Sequence, residues 1–110
     1  MSYDLALADR VRDVLADEPG VTEKQMFGGL AFFVGGHMAV AASGQGGLLL
    51  RAEPARAEEL LDGDVVTRFA MGGRSMAGWL HVTAPALETD NRLRDWVRVG
   101  LDVARSLPPK

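Results

Sequence analysis

The stretch Met26-Phe27-Gly28-Gly29-Leu30-Ala31-Phe32-Phe33-Val34 constrains this chain more than any other. It is the longest apolar run, it holds three of the four phenylalanines, and Gly35-Gly36 follows it. Aromatic and branched residues bounded by turn glycines predict a strand at the centre of a core. Both faces of that strand are apolar. A sheet with helices on one side needs only one apolar face. The surplus predicts either cover on both faces or contact with a protein partner or a second copy. Met26, Phe27, Phe33 and Trp79 are the residues placed on such a partner surface.

The size of the chain bounds what can surround this strand. Its 110 residues make one domain, 1–110, with a small core. Hydrophobic content of 47% and charged content of 25% are those of a globular chain. No apolar run reaches the length of a membrane-crossing helix. The first ten residues carry Asp4 and Asp9 and lack the basic-then-apolar pattern of a secretory leader, so a cytoplasmic location is expected. With no cysteine, disulfides, thiolate catalysis and cysteine-based metal sites are excluded.

Charge narrows the partner. A net charge of −3 argues against a free-standing nucleic-acid binder. The charge is uneven. Residues 1–65 hold five basic and eleven acidic residues, and residues 66–110 hold seven and four. Such asymmetry marks either a docking face or two differently solvated helices.

In chain order, Asp4–Asp17 has the spacing of an amphipathic helix, with Leu7, Ala8, Val11, Val14 and Leu15 on one face. Ser2 or Asp4 can cap it, and Pro19-Gly20 ends it. Lys24–Val34, Met38–Ser43 and Leu48–Arg51 read as a three-stranded meander joined by glycine turns. Glu53-Pro54 opens a short helix closed by Asp62-Gly63. Val65–Ala70 and Met76–Thr83 read as two further strands. Thr89 or Asp90 caps a final helix to about Ser106, with Leu93, Trp96, Val97, Gly100, Leu101, Ala104 and Leu107 on its apolar arc. Arg94, Arg98 and Arg105 share the opposite side, with Asp95 and Asp102 at pairing distance along the helix. The order is helix, three strands, helix, two strands, helix. It predicts an α+β fold, a mostly antiparallel sheet with helices on one face.

The order, together with Met26-Phe27-Gly28-Gly29…Phe33, Met71-Gly72-Gly73…Met76…Trp79…Val82 and Arg105-Ser106-Leu107-Pro108, resembles the TfoX/Sxy N-terminal domain family over roughly Leu5 to Pro109. The resemblance implies the α+β architecture seen in secretion chaperones. It also implies a stand-alone relative of the N-terminal domain of competence regulators, which act with a transcription factor. It carries no catalytic residue and no cofactor. The competence regulators have a second, C-terminal domain, and the expectation for residues 1–110 is a single domain without it.

The chemistry-bearing residues are few. His37 and His81 are the two histidines, and a metal site would need both with a carboxylate; a turn residue and a strand-surface residue are the plainer reading, so no metal is expected. Ser75 lacks the Gly-x-Ser-x-Gly setting of an activated nucleophile. Gly72-Gly73-Arg74-Ser75 is the candidate ligand turn. Its backbone N–H groups, guanidinium and hydroxyl suit a phosphate, nucleotide or carboxylate, and the competing reading is an ordinary turn. Arg94, Arg98 and Arg105 are the residues that direct DNA or RNA contact would use. The reading that follows is a non-enzymatic interaction or regulatory module, with a small anion-binding or enzymatic domain as the alternative.

Overall fold

A computed structural model describes residues 4–26, 28–44, 46–71 and 74–108, with the backbone alone for residues 70, 71 and 74–77. The elements are α1 (Leu5–Val14), β1 (Val21–Met26), β2 (Gly29–Val34), β3 (His37–Ala42), β4 (Leu48–Arg51), α2 (Pro54–Leu60), β5 (Val66–Met71), β6 (Arg74–Val82) and α3 (Asp90–Ser106). A 3-10 turn, Ala84–Leu87, precedes α3. The six strands form one antiparallel sheet in the order β1-β2-β3-β4-β6-β5. The fold is α+β.

The helix starts follow from their caps. Asp4 accepts hydrogen bonds from the Ala6 and Leu7 backbone N–H groups at 2.9 and 3.2 Å. Thr89 accepts from Arg92 N at 3.1 Å, which fixes α3 at the expected place. Pro54 stands at the start of α2, where its missing donor costs nothing.

The sheet differs from expectation at its first strand. Four strands, not three, precede α2, because Met26–Val34 is not continuous. Gly28 has φ of 73°, a conformation that an extended strand does not adopt. The chain turns there, and Val21–Met26 folds back on Gly29–Val34 with Met26 opposite Gly29 and Val21 opposite Val34. The polar β1 is an edge strand, with Thr22 to Gln25 exposed.

All three helices lie on one side of the sheet. Leu7, Ala8 and Val11 of α1, Ala57 of α2, and Leu93 and Val97 of α3 share one core with Leu30, Phe32, Val40, Leu48, Leu50, Val66, Leu80 and Val82. Phe32, Leu48, Leu50, Leu80, Leu93 and Val97 are fully buried in it. Two devices bring α3 close to β3. A bulge pairs Phe32 with Val40 and Phe33 with Met38, leaving Ala39 unopposed. Ala39 is thereby buried beside Ala104, and Gly100 of α3 comes so near that a Cβ on it would lie 2.1 Å from the Ala39 carbonyl oxygen.

Candidate binding face

The other face of the sheet carries no helix among the described residues, and it is also apolar. Strand alternation sends Leu30, Phe32 and Val34 to the helices and Ala31 and Phe33 to the opposite side. The register extends this second face across all six strands. One row runs Lys24, Ala31, Ala41, Leu49, His81, Thr67, each residue paired with the next. Beside it, Phe33 pairs with Met38, and Arg51 pairs with Trp79.

Ala31, Ala41 and Leu49 are buried at the centre of this face, with Met26, Phe33, Met38 and Phe69 packed against them. The small alanines leave a depression between larger neighbours. It is a groove of about 280 Å³ lined by Met26, Gly29, Phe33, Met38, Ala41, Leu49, Phe69 and Trp79, with Ser43 and Gly44 at one side. The turn that carries Ser43 and Gly44 is held by Ser43 N donating to Gly47 O at 3.0 Å. His81 reinforces it from β6, its Nε2 donating to the Gly46 carbonyl at 2.7 Å. His81 is thus a brace for the turn. His37 sits far along the sheet, with Nε2 donating to the Pro108 carbonyl at 2.6 Å. The described residues contain no cluster of three or more His, Cys, Asp or Glu that could hold a metal.

At the rim, the Arg51 guanidinium lies 6.0 Å from the centre of the Trp79 ring, at the outer limit of a cation–π contact. Of the proposed partner surface, Met26, Phe33 and Trp79 meet in this groove, and Phe27 lies outside the described residues. Met38, Ala41, Leu49 and Phe69 complete it. The signal that places them is the alternation of faces along their strands.

The remaining candidates fall elsewhere. Arg74 lies opposite Met71 where β5 and β6 meet. Gly72 and Gly73 lie outside the described residues, as do the side chains of Arg74 and Ser75. On α3, Arg94 and Arg98 are exposed, whereas Arg105 forms an ion pair with the nearly buried Glu18. Asp102 does not pair along its own helix: it lies 3.8 Å from Arg56 of α2. The groove between α2 and α3 mixes Arg56, Arg92 and Arg98 with Asp95 and Asp102, so it carries no field of one sign.

The clearest electrostatic perturbation lies on the helical side. Arg12 of α1 holds Glu23 of β1 through two bonds of 2.8 and 2.9 Å and also donates to Asp9 at 2.7 Å. The guanidinium pulls the Glu23 carboxyl below its usual range, and the two carboxylates raise Arg12 further. Asp62 is lowered by accepting from the Val66 and Asp64 backbone N–H groups, which closes the turn into β5. These are structural contacts remote from the groove.

No helix among the described residues is long and apolar enough to cross a membrane. No curated protein and no solved structure matches the chain. The family model of the TfoX N-terminal domain matches residues 13–104, which span the end of α1, β1 to β6 and nearly all of α3. The chain belongs to the TfoX N-terminal domain family.

Proposed function

We propose that this domain is a non-enzymatic regulatory module that holds a protein partner on the helix-free face of its sheet. One observation carries the reading: the sheet is apolar on both faces, and the chain's own helices cover only one. Large apolar side chains left in a concave patch are the usual mark of an interaction surface. Membership in a family that includes the N-terminal domain of competence regulators supports a regulatory role, with a transcription factor as the kind of protein served.

The test places a photo-cross-linking amino acid at Met38, on the open face, and separately at Glu59, exposed on α2. Illumination in cells should give discrete protein adducts from position 38 and none from position 59. Equal adducts from both positions, or none from position 38, would sink the reading.

A further inference from the structure

We infer that the partner seated on the open face is an acidic amphipathic peptide segment, with a large apolar side chain in the groove and carboxylates reaching Arg51 and Lys24. This rests on the interaction reading above and adds the chemistry of the partner. The argument is one of charge placement. The chain has fifteen acidic residues and a net charge of −3. Yet Glu23 is the one carboxylate in any of the six strands. It turns to the helical side, where Arg12 takes it. Its neighbour Lys24 pairs with Ala31 and so stands on the open face. Arg51 stands there too, opposite Trp79. Both cations are exposed, and neither has a carboxylate partner among the described residues.

The open face is therefore an apolar groove with cations at opposite sides and no anion among the side chains of its strands. Most of the other arginines behave differently: Arg10, Arg12, Arg56, Arg68 and Arg105 each face a carboxylate. Stacking two copies face to face would bring Lys24 and Arg51 against a surface without a counter-charge, which disfavours a second copy packed that way. A nucleic acid would require a run of phosphate contacts, and two separated cations do not supply one. A segment with an apolar anchor flanked by Asp or Glu satisfies both features at once, the groove providing affinity and the rim providing choice of partner.

The experiment selects 12-residue peptides from a random phage-displayed library on the intact chain, then measures fluorescein-labelled winners by anisotropy. The selected peptides should combine at least one large apolar residue with two or more Asp or Glu. Their affinity should fall with salt, and the double variant Lys24→Glu/Arg51→Glu should bind them about tenfold more weakly. Changing the peptide acids to lysine should restore binding to that variant. Both substitutions are at exposed positions, and an unchanged thermal transition confirms folding. Neutral or basic winners overturn the proposal, and so do acidic winners indifferent to the double variant. If those winners are still lost on Phe33→Asp, the interaction face stands and only its partner chemistry falls. Absence of any enriched peptide overturns the proposal, and a silent cross-linker at position 38 then removes the interaction reading as well.

Discussion

Phe32 and Phe33 are adjacent in β2 and point to opposite worlds. Phe32 is fully buried between the sheet and the helices, and Phe33 is half-buried at the edge of the open groove. The helical face is built from large, branched side chains that three helices cover. The open face is built from alanines with larger residues around them, so it is concave instead of filled. The same alternation that gives a strand two faces has given this sheet one face for stability and one with unused apolar surface. Truncation of each phenylalanine should separate these roles. Phe32→Ala should cost about 3–5 kcal/mol, and Phe33→Ala about 1 kcal/mol, because Phe33 gives up less buried area. Urea denaturation with matched slopes measures both. Equal losses would break the comparison, since they would mean that Phe33 is as buried in solution as Phe32.

The second contrast is the closeness of α3 to the sheet. No helix among the described residues covers Ala41 on its side of β3, whereas the bulge turns Ala39 to the helical side, where its backbone carbonyl lies against Gly100 of α3. Gly100 permits this, since its absent Cβ would lie 2.1 Å from Ala39 O and 2.9 Å from a Val40 methyl. Glycine to alanine in an exposed helix gains up to about 1 kcal/mol. Here the clash should reverse the sign, and Gly100→Ala should destabilise by about 2 kcal/mol as α3 is pushed outward. A rise in thermal midpoint would show that the helix rides further from β3 than the structure places it.

Much of this was legible from local chemistry. Asp4, Pro54 and Thr89 mark helix starts because capping needs only neighbouring residues. The Gly35-Gly36 turn marks the hairpin of β2 and β3 for the same reason. Strand β1 was obscured because Thr22-Glu23-Lys24-Gln25 is a polar edge with no apolar alternation to reveal it. The break at Gly28 looked like the interior of a single run, since glycine there leaves no hydrophobic mark. The pairing of β4 with β6, across α2 and past β5, depends on long-range packing that no local spacing encodes. For the site, the surplus of apolar residues in Met26–Val34 pointed to a second face, and Met26, Phe33 and Trp79 were found on it. Arg51 and Lys24 went unnoticed because a lone cation in a strand gains meaning only when its neighbours across the sheet are known.

The smallest expected effect tests how the two faces handle charge. On the helical side, Glu23 is neutralised by Arg12; on the open side, Lys24 next to it has no carboxylate partner among the described residues. Glu23→Gln should therefore cost no more than about 1 kcal/mol at neutral pH, because the pair is largely exposed. Its pH dependence is the sharper reading. The folded carboxyl titrates below its unfolded value, so its contribution is complete above the unfolded pKa, and it fades as pH falls through the folded one. The stability gap between wild type and Glu23→Gln should be constant near neutrality and narrow in acid below the ordinary glutamate range of about 4.3. Lys24→Gln should show no such acid-dependent gap, since no carboxylate among the described residues answers it. A gap that Lys24→Gln reproduces would mean that the open face carries an intramolecular anion, and the electrostatic difference between the two faces would be lost.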